Sequence, residues 1–404
     1  MKPRSFYPPQ RTLMGPGPSD VSPRVLGAMA RPTIGHLDPA FVTMMEEVKA
    51  MLQYAFQTRN RLTFPVSAPG SAGMETCFVN LVEPGDKVIV CQNGVFGGRM
   101  KENVLRAGGT PIMVEDPWGR AADPHKVEDA LNANPDARIV AFVHAETSTG
   151  ARSDARLLAE IAHRRDALVI VDAVTSLGGI PLLVDEWELD AVYSGTQKCL
   201  SCVPGLSPVT FGDRATQRIK SRRHRIQSWF LDLDLVMSYW SGDGKRTYHH
   251  TAPVNTLYAL HEALVMLREE TLGRAWARHA YYHRALRAGI EAMGLKFVVP
   301  EAERLPQLNS IQVPDGVDDA LVRAQLLGEY HLEIGAGLGA MAGKVWRIGL
   351  MGQSCTARHV LFCLGALEDV LSDFKAPIRR NVALNAARAA MNEPPNTMDD
   401  EELE

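Results

Sequence analysis

Lys198 stands where a lysine can act as a nucleophile. It closes the run Ser194-Gly195-Thr196-Gln197-Lys198, which follows a predicted strand and leads into a loop marked by Pro204-Gly205. A lysine at the carboxyl end of a buried strand, with no carboxylate close in sequence, loses hydration and holds its proton less tightly, as a Schiff-base lysine requires. Alone, a lysine in such a run is more often a solvated surface charge. Asp172, 26 residues earlier, ends the apolar run Leu168-Val169-Ile170-Val171. A carboxylate there points into the crevice where open α/β sheets bind ligands, although aspartate also caps turns. The third feature is Ala68-Pro69-Gly70-Ser71-Ala72-Gly73 at a predicted helix start. Backbone N–H groups at Gly70, Ser71 and Ala72, the helix dipole and the Ser71 hydroxyl would hold a phosphate dianion; taken alone, the run is only a helix cap. Lysine, carboxylate and phosphate cradle, in one alternating chain, are what pyridoxal phosphate needs: an amine to bond its aldehyde, an anion to keep its pyridine nitrogen protonated, and an anion site.

The elements that must position these groups alternate in the first half. Short β-branched runs at 87–90, 111–114, 138–143, 168–171, 191–194 and 208–211 are separated by amphipathic segments starting near 71, at 98–107, at 124–132 and at 153–164. This predicts an α/β fold with a mainly parallel sheet covered by helices. Pro84-Gly85 and Gly108-Gly109 end the first two helices. Helical periodicity over 255–270 and 273–293 connects to an α+β pattern, with strands at 296–299, 309–313 and 345–348 and helices at 318–327 and 356–371. The expected organisation is an arm (1–20), a large domain (21–270), a smaller C-terminal domain (271–374) and a flexible tail (375–404) whose end is acidic.

Composition narrows the function classes. The 404 residues carry 43 Lys+Arg against 47 Asp+Glu, a formal charge of −4, so no broad positive field awaits nucleic acid. Apolar runs fall short of the roughly 18–20 residues of a membrane span, so no membrane partner is expected. Six sparse cysteines and a polar, proline-rich opening without a basic-then-apolar leader give the expectation of a reducing, cytoplasmic setting. Cys199-x-x-Cys202 and His249-His250 have metal-like spacing. No second cysteine pair completes the first, and strand neighbours face opposite ways in the second, so structural roles and no metal are expected.

Seven motifs in order resemble the class V aminotransferases, and within them the alanine–glyoxylate and serine–pyruvate aminotransferases. They are Leu13-Met14-Gly15-Pro16-Gly17-Pro18, Tyr54-Ala55-Phe56-Gln57-Thr58-Arg59-Asn60, Glu83-Pro84-Gly85-Asp86, Glu146-Thr147-Ser148-Thr149-Gly150, Ser194 to Lys198, Tyr248-His249-His250-Thr251 and Gly343-Lys344-Val345-Trp346-Arg347-Ile348-Gly349. The resemblance spans roughly residues 10 to 370 and implies a fold-type I homodimer with pyridoxal phosphate at the subunit interface. It implies Lys198 as the Schiff-base lysine, Asp172 as the partner of the pyridine nitrogen, and Gly70, Ser71 and Gln197 as phosphate ligands. Tyr248 and Thr251 would be lent to that phosphate by the neighbouring subunit, and Thr147 would place a hydroxyl near the ring oxygen.

Phe96 occupies the position of the ring that stacks on the pyridine, often tryptophan in the family; Pro69 departs from a residue that can donate an N–H. Arg347 is the expected partner of the substrate carboxylate, since a planar, permanently charged fork suits a carboxylate as lysine does not. Gly15 and Gly17, on the arm, would close over a small substrate, and His36 would lie near the entrance. The function this implies is a ping-pong transaminase moving an amino group from alanine or serine to glyoxylate or pyruvate. The rival readings are a ureidoglycine–glyoxylate aminotransferase, a cysteine desulfurase using Cys355, and a catalytically silent fold serving as a binding module.

Overall fold

The computed structural model describes residues 4–240 and 246–394. The arm carries β1 (Thr12–Leu13) and runs into α1 (Pro23–Met29) and α2 (Pro39–Phe56). Strands and helices then alternate through β2 (Leu62–Val66), α3 (Gly70–Leu81), β3 (Lys87–Gln92), α4 (Val95–Arg106), β4 (Thr110–Glu115), α5 (Pro124–Ala133) and β5 (Ala137–Val143). A tight hairpin of β6 (Ala145–Glu146) and β7 (Ala151–Arg152) precedes α6 (Ala155–His163) and β8 (Leu168–Asp172). Next come β9 (Ala191–Tyr193), β10 (Ser207–Phe211), α7 (Asp213–Lys220), α8 (Leu233–Trp240), α9 (Val254–Glu270) and α10 (Leu272–Ala292). The C-terminal part holds β11 (Leu308–Gln312), α11 (Asp319–Glu329), β12 (Leu332–Glu333), β13 (Gly335–Ala336), β14 (Val345–Gly349), α12 (Ala357–Asp373) and α13 (Ala383–Met391).

Seven strands make one sheet in the order β2-β10-β9-β8-β5-β3-β4. β3, β4, β5, β8 and β9 are parallel, and β10 lies antiparallel between β9 and β2. Every residue of β8, β9 and β10 is buried, which is why these strands read as continuous rather than alternating apolar runs. Several covering helices start on side-chain caps: Asp38, Asp123 and Asp154 each accept a backbone N–H, with Pro39 and Pro124 at the first helical turn. α3 differs, for Pro69 precedes it and no side chain caps it.

A second apolar core joins residues of α10, β11, β14, α12 and α13, among them Leu286, Ile311, Trp346, Leu364 and Ala387. Its sheet is the antiparallel β11-β14-β13. The strand expected at 296–299 reduces to one bridge, Phe297 to Ile311, because Gly294 turns the chain just before it and Pro300 follows. The flexible tail expected from 375 is corrected through residue 391. α13 buries Ala383 and Ala387 against this core, and its small side chains allow close approach to α10, where a Cβ on Gly289 would lie 3.1 Å from the Ala383 carbonyl oxygen. Residues 395–404 of that expected tail lie outside the described residues. Among the described residues no helix is long and apolar enough to cross a membrane.

The arm is tied to this second unit. β1 pairs parallel with β12, the Met14 N–H donates to the Glu333 carbonyl at 2.9 Å, and the Gly349 N–H donates to the Met14 carbonyl at 2.7 Å. Met14 itself is fully buried in the second core. At Gly349 a Cβ would overlap the Gly15 carbonyl oxygen, so only glycine lets the arm lie this close to β14. Gly349→Ala is expected to lower the unfolding free energy by about 1–3 kcal/mol, the usual cost of overpacking. Denaturant unfolding, with hydrogen exchange at Met14 read in parallel, checks this; unchanged stability together with unchanged exchange would show that the arm has room to spare.

Candidate active site

The parallel register of β8 and β9 sets Asp172 beside Tyr193 at the carboxyl edge of the sheet. Asp172 is 2% exposed and is satisfied by neutral donors: the Val174 N–H at 2.9 Å and the Tyr193 hydroxyl at 2.8 Å. Burial pushes its pKa up to about 6, while those two bonds and the charges of Lys198 and Arg99 pull the other way. A carboxylate has about four lone-pair directions, so two bonds leave acceptor capacity for a further cationic N–H.

Lys198 follows β9 by five residues and is half-buried. Its ammonium donates to the carbonyl of Pro16 on the arm, not to a carboxylate. Burial, and then the charge of Arg347, lower its pKa to about 8. The arm is fastened to the lysine loop at two more points, Ser19 N–H to the Gln197 carbonyl at 3.0 Å and Ser19 hydroxyl to the Lys198 carbonyl at 2.8 Å. Gly17 has φ +105°, and a Cβ there would stand 2.5 Å from Lys198 Nζ. The space in front of the amine exists because residue 17 is glycine.

The N-terminus of α3 faces the same loop: a Cβ on Gly70 would lie 3.5 Å from the Ser194 carbonyl oxygen and 3.7 Å from the Gly195 Cα. Gln197 keeps a buried amide oxygen without a partner, and rotation of the amide would present its NH2 there. An uncapped helix start beside an unsatisfied amide fits a phosphate. With the open acceptor face of Asp172 and the accessible lysine, these residues fit pyridoxal phosphate; Pro69 adds no N–H to the cradle.

Arg347, in the central strand of the small sheet, is 6% exposed. Two backbone carbonyls hold it, Ala336 to Nε at 2.7 Å and Thr147 to Nη1 at 3.0 Å, and no carboxylate is bonded to it among the described residues. Burial lowers its pKa to about 10 against the raising effect of Glu146, so it stays charged at neutral pH. Thr147 shares a 2.5 Å hydroxyl contact with Thr175. The large-domain hairpin and β14 therefore meet at Arg347.

Two functional candidates escaped the sequence reading. Tyr193 bonds Asp172 only because of strand register, which no local pattern reports. Glu146 is fully buried; burial, with help from the charge of Asp172, pushes its pKa up to about 7 against bonds from Ser148 and Phe96. Its placement in Glu146-Thr147-Ser148-Thr149-Gly150 was the available signal. Phe96 sits in the first turn of α4 with the Arg99 guanidinium 4.8 Å from its ring centroid.

Among the described residues no hydrogen bond joins Tyr248 or Thr251 to Gly70, Ser71 or Gln197, although His250, between them, meets Ser67 Oγ at 2.7 Å. Both are exposed, and their hydroxyls lie 3.5 Å apart. His36 contacts the Tyr239 hydroxyl at 3.0 Å and lies against the Tyr248 ring. Cys199 and Cys202 are buried free thiols, His249 stacks on Trp229, and among the described residues no group of three metal-capable side chains forms. Cys355 is fully buried, its thiol pushed up to about 12 by burial, which opposes a mobile thiolate nucleophile.

The family model described as aminotransferase class-V matches residues 21–370. The (S)-ureidoglycine–glyoxylate transaminase of Bacillus subtilis is 39% identical over 403 residues, covering 95% of this chain and 96% of that protein. The alanine–glyoxylate aminotransferase of Drosophila melanogaster is 39% identical over 383 residues, covering 94% and 97%. The crystal structure of an alanine–glyoxylate aminotransferase from Nostoc sp. superposes with a TM-score of 0.90 at 42% identity, covering 92% of this chain and 98% of that one. Motifs, sheet order and these likenesses agree: the chain belongs to the class-V aminotransferases, a pyridoxal-phosphate-dependent family of fold type I.

Proposed function

We propose that this aminotransferase moves the amino group of alanine or serine to glyoxylate or pyruvate. The observation that carries the reading is Arg347: a buried guanidinium held by two carbonyls and, among the described residues, bonded to no anion is a receptor for a small carboxylate. Gly17 leaves room for a compact substrate between the arm and Lys198. A ureidoglycine donor is the second reading, favoured by the B. subtilis relative at equal identity. Buried free cysteines support a reducing, cytoplasmic setting.

Bound pyridoxal phosphate supplies an electron sink that eases loss of the substrate Cα proton and carries the amino group between the two half-reactions. Lys198 would bond the cofactor and, once displaced, its neutral amine would take the proton from Cα of the donor and, as the ammonium, deliver one to Cα of the acceptor in the second half-reaction. Asp172 would hold a proton on the pyridine nitrogen, backed by Tyr193 and Val174. Gly70, Ser71 and Gln197 would hold the phosphate, Thr147 would offer a hydroxyl at the ring oxygen, and Phe96 would cover the ring face. Arg347 fixes the substrate carboxylate and so aims Cα at Lys198.

A homodimer completes this reading. Tyr248 and Thr251 present adjacent hydroxyls on the surface, which supports their serving a second copy of the chain. Ser71 opens on a cleft of about 1200 Å³ that also meets Arg99, Arg222 and Arg225, a place where such hydroxyls can enter beside an anion.

The decisive experiment adds amino acids singly to the cofactor-loaded protein and follows its visible absorbance. Alanine or serine is expected to shift the cofactor band and glyoxylate to restore it, with no response in Lys198→Ala; ureidoglycine alone producing the shift would select the second reading, and indifference to every donor would remove transaminase activity. Arg347→Lys is expected to raise the donor KM about 10–100-fold, the scale of a lost hydrogen bond to a charged group; an unchanged KM would release Arg347 from substrate binding. With the lysine near 8, the rate of cofactor loading into apo-protein is expected to climb with pH and flatten above about 8. Stopped-flow absorbance measures it, and a climb continuing past pH 10 would mean an ordinary lysine.

A further inference from the structure

α4 begins without a cap of its own. Gly94, at its N-cap position, has no side chain, and a Cβ there would overlap the Glu146 carboxyl group and stand 2.5 Å from Ser148 Oγ. Those two residues, at the end of β6 and on the turn that leads to β7, supply the missing acceptors. The Val95 N–H donates to Ser148 Oγ at 3.0 Å, and the Phe96 N–H donates to Glu146 Oε2 at 3.3 Å. Ser148 in turn gives its hydroxyl and its N–H to Glu146 Oε1 at 2.6 and 3.0 Å. Among the described residues no basic side chain bonds to Glu146, so this fully buried carboxylate meets helix-start donors and a serine rather than an ion-pair partner.

We infer that Glu146 and Ser148 are positioning residues, capping α4 from across the domain so that Phe96 is held at one height over the cofactor ring. Phe96 lies at the second position of the helix, where a missing cap lets the first turn fray. The Arg99 guanidinium against the ring restrains the side chain, while Glu146 restrains the backbone that bears it. The same turn receives Arg347 through the Thr147 carbonyl. The end of β6 and the turn after it thus set the stacking ring and the carboxylate receptor in a common frame, and neither Glu146 nor Ser148 needs to touch the substrate.

This inference rests on the reading of Phe96 as the stacking ring, and a double-mutant cycle on cofactor affinity separates the two. Glu146→Gln keeps the shape but offers one acceptor oxygen in place of two, so it cannot serve both Phe96 and Ser148. Dissociation constants for pyridoxal phosphate are measured by equilibrium dialysis for the wild type, Glu146→Gln, Phe96→Ala and the double variant, each with its thermal midpoint. Each single change is expected to weaken retention about tenfold, and the double variant to lie within about twofold of Phe96→Ala, because contacting residues couple. Multiplied effects, about a hundredfold in the double variant, would overturn the positioning role while leaving the stacking ring in place. If Phe96→Ala retains cofactor as well as wild type, the stacking reading falls and this inference with it. Should Glu146→Gln lose its fold, Ser148→Ala, which removes the Val95 acceptor and the hydroxyl that bonds Glu146 Oε1, takes its place in the cycle under the same criteria.

Discussion

The site depends on keeping a half-buried lysine and a buried aspartate close without letting them close into an ion pair. An ammonium bonded to a carboxylate is neither a nucleophile nor free to leave, and a carboxylate so engaged has nothing to offer a pyridine nitrogen. The structure avoids this by giving each charge neutral partners: the Pro16 carbonyl for Lys198, the Val174 N–H and Tyr193 hydroxyl for Asp172, and two carbonyls for Arg347. Desolvation moves Lys198 down to about 8 and Asp172 up to about 6, each toward its neutral form. Perturbations of this kind mark functional sites when they converge on one crevice.

That constraint explains the architecture around it. The parallel sheet delivers Asp172 at a strand's carboxyl end, the open place in a doubly covered sheet. Lys198 arrives from the loop after the adjacent strand, and the start of α3 packs against that loop, so three separate segments converge on one edge of the sheet. The arm covers the lysine, and glycines at 17 and 349 let it come close enough to do so. The small domain contributes one guanidinium, through a strand buried at every position.

Much of this was legible in the sequence. Lys198, Asp172 and the Gly70-Ser71 cradle sit at strand or helix ends, and such ends have local signatures: an apolar run stopping at a charge, or small residues opening a helix. Tyr193, Pro16 and Glu146 act through register or long-range approach, which periodicity does not encode. Tyr193 looks like one more apolar strand residue, and the Pro16 contribution is a carbonyl that any residue possesses. The stretch at 383–391 buries only alanines, which carry little apolar signal in a sequence and read as slack chain, whereas small side chains are what allow it to lie close on α10. Tyr248 and Thr251 were legible as a motif but not as a place, since their expected partner is a second copy of the chain and no residue pattern reports where that copy docks.

The burial of Met14 in the C-terminal core has a consequence for how the molecule is made. Residues 12–14 pair with partners at 331–333 and 349, so the arm's contacts close only after nearly the whole polypeptide exists. The large sheet, whose neighbours are mostly near in sequence, can assemble during synthesis, while the beginning of the chain waits unpaired for its end. Because that same arm supplies the carbonyl that holds Lys198, this lysine acquires its partner in the last stage of folding. A nascent or truncated chain can thus own a finished sheet and still present an unguarded amine.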